Sequence, residues 1–283
     1  MLILYPRKRG KIGGNLAHPG LSMKKPFLLD QVAIVTGASS GIGRATALTL
    51  AKQGAHLALA ARNSELLTTL AAEISLLGRE ALVVPTDVTR QEQVNSMVEA
   101  VIERWGHIDI LVSNAGQYIR TPIYLMKPTD MEQSMAVNFY SGVYAVQAVL
   151  PHMLAHRSGH FVFVSSLDGK FALPGDAPYV AAKFALTGFA AALRQEMAGK
   201  GISVTTILPG RVDTPMIQDL HVPWISAKIP PQAVANGIVR AIHKRQAEVI
   251  LPFHGGLLYF ISVFNPGLSD WLTRLFHLQG WNI

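Results

Sequence analysis

The chain has 283 residues, 49% of them hydrophobic and 15% charged, a balance that suits one large α/β domain with additions and excludes a disordered chain. Its formal charge of +7 is concentrated in residues 1–25, which hold six Lys and Arg and no acid, so the other 258 residues carry only about +1 and a basic nucleic-acid-binding face is excluded. The lack of cysteine rules out a disulfide framework, a thiol nucleophile and Cys-ligated zinc, and no apolar run reaches the 18 or so residues that span a bilayer. Residues 1–25, rich in Gly, Lys, Arg and Pro and without periodicity, are expected to form a flexible basic tail. They lack the apolar stretch of a signal peptide, which makes a cytoplasmic location the expectation.

From residue 31 the pattern is regular. The apolar run 32–35 meets a Gly-rich turn and a helix is predicted over 42–53, with Ile42, Ala45, Leu48 and Ala51 at helical spacing. A second strand at 57–60 follows, then a helix at 64–77, a strand at 81–85, a helix at 90–105 and a strand at 109–112. One long helix is predicted over 127–156, then a strand at 160–165, a helix at 178–199, a strand at 203–207, a helix near 231–245 and a last strand near 247–251. Short apolar strands alternating with longer helices predict a single doubly wound parallel sheet, helices on both faces, over residues 26–252. Residues 253–283 form a separate apolar extension: 257–264 is nearly all apolar, and after Pro266 the residues Leu268, Trp271, Leu272, Leu275 and Phe276 follow helical spacing. The expectation is a helical extension packed on the core or on another subunit; the alternative is a lip that touches a membrane peripherally or shields a lipophilic pocket.

The first turn places Gly37, Gly41 and Gly43 between a strand and a helix, where glycines permit a tight turn and close backbone approach to a pyrophosphate. Ser39, Ser40 and Ile42 complete that turn, and the helix N-terminus offers amide N–H groups and a favourable dipole. A site for NAD places an acid at the end of the second strand for the ribose 2′-hydroxyl. Here that end reads Ala61-Arg62-Asn63. A carboxylate would repel a 2′-phosphate, whereas Arg62 can pair with one through its planar fork, so NADP(H) is expected over NAD(H). Tyr179 and Lys183 lie four apart on a predicted helix and share a face. A nearby ammonium stabilises a phenolate, so Lys183 is expected to lower the pKa of Tyr179 towards the neutral range.

The ordered set Thr36-Gly37-x-x-x-Gly41-x-Gly43, Asp87-Val88, Ser113-Asn114-Ala115-Gly116, Asn138, Ser166, Tyr179-x-x-x-Lys183 and Pro209-Gly210 resembles the short-chain dehydrogenase/reductase family over about residues 28–252. One departure is Ser113, where the family usually has Asn, at a position that mainly supports the central strand. The resemblance implies a Rossmann-like oxidoreductase that interconverts a carbonyl and a secondary alcohol by hydride transfer, with Tyr179 as acid/base. It implies that Lys183 also holds the nicotinamide ribose, that Ser166 rather than Ser165 donates to the substrate oxygen, and that Asn138 positions a proton-relaying water. Asp87 and Val88 resemble the pair against the adenine, and Asn114, Ala115 and Gly116 a wall beside the adenosine. Pro209, Gly210, Val212 and Thr214 resemble the turn against the nicotinamide. It also implies a homodimer or homotetramer.

Segment 213–231, with several prolines and Trp224, is expected to form a mobile lid over a small-molecule carbonyl or alcohol substrate, either lipophilic, as for a lipid or steroid reductase, or polar, as for a reductase of sugars or acyl thioesters. The rival to an enzyme is a non-catalytic nucleotide-binding or scaffold protein on the same fold. His152, His156 and His160 recur at intervals of four, but Gly159 interrupts the helix before His160, so a solvated helix end is expected rather than a metal site. Asp168 and Asp176 flank the Ser166–Tyr179 loop and are read as lacking partner carboxylates.

Overall fold

A computed structural model of the chain describes residues 26–282; the tail expected over residues 1–25 lies outside the described residues. The elements run β1 (Val32–Thr36), α1 (Gly41–Lys52), β2 (His56–Ala61), α2 (Ser64–Leu76), β3 (Ala81–Pro85), α3 (Gln91–Trp105), β4 (Ile110–Ser113), α4 (Pro128–Met135), α5 (Ser141–His156), β5 (Gly159–Val164), α6 (Ala177–Glu196), β6 (Ile202–Pro209), β7 (Leu220–His221), α7 (Pro231–Lys244), β8 (Glu248–Leu251), α8 (Gly255–Phe264), α9 (Pro266–Leu275) and β9 (Trp281–Asn282).

Every residue of β1 and β4 is buried, which is why these strands read as unbroken apolar runs rather than as alternations. They form the centre of a seven-stranded sheet in the order β3-β2-β1-β4-β5-β6-β8, parallel at every pairing. One apolar cluster, with Leu50, Leu67, Leu70 and Ile238, packs α1, α2 and α7 on one face. A second, with Met97, Val149, Phe161 and Leu186, packs α3, α5 and α6 on the other. The chain leaves β1 towards β2 and β3, then crosses back to β4 on the opposite side. The loops after β1 and β4 therefore diverge and open a crevice at the carboxyl ends of the strands.

One expectation is revised and two others gain structural detail. The long helix over 127–156 is two helices joined by a π-helical turn, Ala136–Tyr140. Asn138 sits in that turn and donates from Nδ2 to the Ser134 carbonyl at 3.1 Å, a side-chain bond that competes with the regular ladder. The extension forms two helices that pack chiefly on each other, burying Gly256, Ser269 and Thr273. Leu257, Phe260, Phe264, Trp271 and Leu275 stay exposed, so most of its apolar side chains are not packed on the core. Segment 213–231 is made of short turns and β7, and β7 pairs antiparallel with β9, so the chain's last residues clasp the expected lid. No helix among the described residues is long and apolar enough to cross a membrane.

Candidate active site

The crevice is a cleft of about 1020 Å³ lined from the loops after β1 to β6. Gly37 lies at φ +65°, and a Cβ there would stand 2.9 Å from Ala115 Cα, so the turn fits against the β4 loop only without a side chain. At Gly43 a Cβ would stand 2.2 Å from the Gly37 carbonyl oxygen. Gly43 thus packs the turn onto the helix from behind and does not line the cleft, unlike Gly37, Ser39, Ser40, Gly41 and Ile42. Asn114 also differs from a passive wall: its Nδ2 donates to the Thr36 carbonyl at 2.9 Å and holds the glycine turn in place. Ala115 and Gly116 follow it along the wall, and Thr214 closes over Gly41, whose Cβ would meet Thr214 Cγ2 at 2.9 Å.

At the mouth, α1 begins without an acidic residue in its first turn and without a side-chain cap, leaving its amide N–H groups directed at the cleft. Arg62 and Asn63 are exposed at the end of β2. Asn63 accepts the Leu66 N–H and caps α2. Arg62 makes no ion pair among the described residues, while Arg44, the other cation near the turn, is bound to Glu73 at 2.5 Å. Asp87 receives the Thr89 N–H and hydroxyl at 3.0 and 2.7 Å, which holds its carboxyl below the usual range and shapes the loop beside Val88.

The inner end brings Asn138, Ser166, Tyr179 and Lys183 to one wall. Ser166 lies just past the end of β5 at the head of the Leu167–Gly169 turn, and its hydroxyl is near enough to the Tyr179 phenol to favour its ionised form. Lys183, buried one turn along α6, donates from Nζ to the Val164 carbonyl at 3.1 Å and lies 5.5 Å from the centre of the Tyr179 ring. Asn138 is 2% exposed; its Oδ1 accepts the Gln117 N–H at 3.1 Å and its Nδ2 donates to the Gln117 carbonyl at 2.9 Å. It pins the loop that follows Gly116. Pro209, Gly210 and Val212 form the floor opposite.

The expected pKa of Tyr179 is revised. Burial and the negative charge of Asp168 push its phenol upward, against the Ser166 hydrogen bond. Lys183 is not among the groups that shift it: its ammonium donates to the Val164 carbonyl, and burial drives its own pKa down to about 8. His160 is also revised: it lies buried on β5 with Nε2 2.8 Å from Thr205 Oγ1, and burial lowers its pKa to about 4.

The largest difference from the sequence reading is a cluster of charges at the substrate end. Asp168 and Asp176 are brought together on the cleft wall, where the negative charge of Asp176 raises the Asp168 carboxyl. Arg120 Nε lies 3.3 Å from Asp176 Oδ1, the Tyr118 hydroxyl lies near enough to Asp176 to hold its carboxyl down, and Arg211 faces both acids. Tyr118 also packs edge-on against Tyr179, ring centres 5.1 Å apart. The arginines bind the chain's end: Arg120 Nη2 donates to the carbonyls of Gln279 and Gly280 at 3.0 and 3.1 Å, and Arg211 to that of Leu278. Sequence reasoning missed Tyr118, Arg120 and Arg211. The available signal was their position just past the strand-end motifs Asn114-Ala115-Gly116 and Pro209-Gly210, where loops converge on the crevice.

The sequence profile described as short chain dehydrogenase matches residues 31–222. The chain belongs to the short chain dehydrogenases. It is 39% identical over 193 residues to an uncharacterized oxidoreductase of Listeria monocytogenes, covering 68% of this chain and 78% of that protein. To an uncharacterized oxidoreductase of Staphylococcus epidermidis it is 37% identical over 213 residues, 75% of this chain and 91% of that protein. Among solved structures, an alcohol dehydrogenase from the archaeon Thermococcus sibiricus complexed with 5-hydroxy-NADP superposes with TM-score 0.71 at 26% identity, covering 78% of this chain and 95% of that one. A variant of actinorhodin polyketide ketoreductase with NADPH gives TM-score 0.76 at 29% identity, covering 80% and 97%. This short chain dehydrogenase is a nicotinamide-dependent oxidoreductase of small molecules. Its own residues fit such a cofactor: a side chain on Gly37 or Gly43 would break the turn that leaves the α1 amides open.

Proposed function

We propose that the enzyme prefers NADP(H) and interconverts a carbonyl and a secondary alcohol, with Tyr179 as the acid/base and carbonyl reduction as the cellular direction. The convergence of Ser166, Tyr179 and buried Lys183 at the inner end of the cleft carries this reading. The bound cofactor supplies or takes up the hydride; the chain manages the proton. In reduction the Tyr179 hydroxyl gives its proton to the substrate oxygen while the Ser166 hydroxyl donates a hydrogen bond to the same oxygen as charge grows there. Lys183 places a positive charge beside the phenolate that Tyr179 becomes. Asn138 holds the Gln117 loop that walls the proton-transfer residues, and Arg62, without an ion-pair partner among the described residues, offers its guanidinium to a 2′-phosphate.

Phe171, Leu173, Met216, Ile217 and Leu220 share the substrate end with the charged cluster, which suits a carbonyl compound with an apolar body. A scaffold protein on this fold has no use for the Ser166–Tyr179–Lys183 set. The deciding experiment compares NADPH with NADH binding by thermal shift, then follows NADPH oxidation with aliphatic ketones, aromatic ketones and an aromatic α-diketone. Tyr179→Phe should lower turnover by about 10²- to 10⁴-fold while NADPH still binds. A wild type that reduces none of these carbonyls overturns the reductase reading.

A further inference from the structure

The turn Leu167–Gly169 after β5 carries a carboxyl within reach of the Ser166 hydroxyl. Ser166 Oγ accepts the Asp168 backbone N–H at 3.1 Å, lies 3.2 Å from Asp168 Oδ2, and interacts with the neighbouring Tyr179 phenol. A hydroxyl has one proton and two lone pairs, so the state of Asp168 decides how these contacts are shared. As a carboxylate, Asp168 only accepts, and the single Ser166 proton goes to it in a charge-assisted bond. The lone pair left over from the Asp168 N–H then takes the Tyr179 proton, and neither hydroxyl points at a substrate oxygen. As a carboxylic acid, Asp168 donates to Ser166. Both lone pairs of Ser166 are then filled by the N–H and O–H of Asp168, and Ser166 and Tyr179 keep their protons for the substrate.

We propose that Asp168 is a positioning residue for carbonyl reduction: its proton turns the Ser166 and Tyr179 hydroxyls towards the substrate, and loss of that proton turns them away. The inference rests on the roles given above to Ser166 and Tyr179. Its electrostatic setting agrees. Asp168 faces Asp176 ahead of α6, Lys183 on α6, Tyr118 on the β4 loop and Arg211 on the β6 loop, with Arg120 against Asp176. Of the other elements packed on the turn, α8 brings only the Tyr259 phenol and β6 no titratable side chain. Burial and the Asp176 charge outweigh Arg211, the Ser166 bond and Lys183, and push the Asp168 carboxyl up to about 7. The same negative charge raises the Tyr179 phenol, so protonating Asp168 also makes Tyr179 a better acid.

The test is the pH profile of kcat/KM for NADPH oxidation with the aromatic α-diketone, or with whichever carbonyl of the panel is reduced fastest. Between about pH 5.5 and 7.5 the wild type should lose about fourfold, the fall expected of a group titrating near 7 that must be protonated. Asp168→Asn, whose amide donates to Ser166 at every pH, should change by less than about twofold over that range and stay near the wild-type acid plateau. Asp176→Asn should move the falling limb to lower pH, because the like charge that raises Asp168 is gone. NADPH affinity within about threefold of wild type establishes that each variant is folded. Infrared difference spectra give a readout that needs no turnover: the protonated-carboxyl band that disappears near pH 7 in the wild type should be missing in Asp168→Asn, while the Asp176 band, which disappears near pH 6, remains. An unchanged limb in Asp168→Asn overturns this inference and leaves the reductase reading standing. A wild type inactive on every carbonyl overturns both.

Discussion

Lys183 stands over the ring of Tyr179 with Nζ 5.5 Å from its centre, and its ammonium is spent on the Val164 carbonyl at 3.1 Å. A cation held in the interior by one carbonyl is a cost to the fold, as the fall of its pKa from 10.5 to about 8 records. The folded value lies below the unfolded one, so the penalty is full below pH 8 and vanishes above about 10.5. Lys183→Met should therefore raise the melting temperature by a few degrees at pH 7, with the gain shrinking as pH rises, while NADPH oxidation falls about 100-fold or more. Melting curves at pH 7 and 10 beside initial rates check both signs. A variant that is less stable at pH 7 would show that the lysine holds the fold together.

Arg62 tests the cofactor half. Arg62→Glu replaces a guanidinium that has no ion-pair partner among the described residues by a carboxylate at the end of β2. Loss of a charge-assisted pair is worth about 1.5–3 kcal/mol, so the Kd for NADPH should rise by roughly 10- to 100-fold while that for NADH holds or improves. Fluorescence titration with both nucleotides measures the ratio; equal losses for the two would remove Arg62 from 2′-phosphate recognition.

Gly43→Ala puts a methyl group 2.2 Å from the Gly37 carbonyl oxygen, with the Asn114 amide 2.6 Å away. Neither neighbour can withdraw, since both belong to the turn bound between β1 and β4. The variant should lose about 1–3 kcal/mol of stability in chemical denaturation and bind NADPH more weakly, whereas Gly78→Ala, facing open space, should lose only what its φ of +72° costs.

The chain's end should behave as a clasp. Deleting residues 278–283 removes β9, which pairs with β7, and the carbonyls of Leu278, Gln279 and Gly280 that Arg120 and Arg211 hold. Segment 213–231 should then be cut by a protease about tenfold faster, since cleavage follows the population of the opened segment. The arginines, having lost those acceptors, should improve kcat/KM for carbonyl substrates that carry a carboxylate. Cleavage at the wild-type rate would mean that the segment is held by its own turns.

Much of the fold was legible because burial writes directly into residue type. Strands buried on both faces, such as β1 and β4, must be continuous apolar runs, and the helices between them carry one apolar face each. The exception at 127–156 arose because the π-helical turn depends on what Asn138 binds across the Gln117 loop, which helical periodicity does not encode. The extension was legible as helices but not in its packing: α8 and α9 satisfy helical spacing whether or not a partner covers them.

By itself the sequence determined the parallel α/β sheet and the glycine turn, because each needs only local spacing and a strand end to be recognised; the Ser166, Tyr179 and Lys183 set came in with the family resemblance. Tertiary structure alone decided the sign of the Tyr179 shift and the meeting of Asp168, Asp176, Arg120 and Arg211. Both depend on desolvation and on charges brought from loops far apart in the chain. The Arg120 contacts to Gln279 and Gly280, for example, span 159 and 160 residues. Spacing along a chain says which residues share a helix face, but electrostatic energy follows distance and burial in space, and those are fixed only when the loops close.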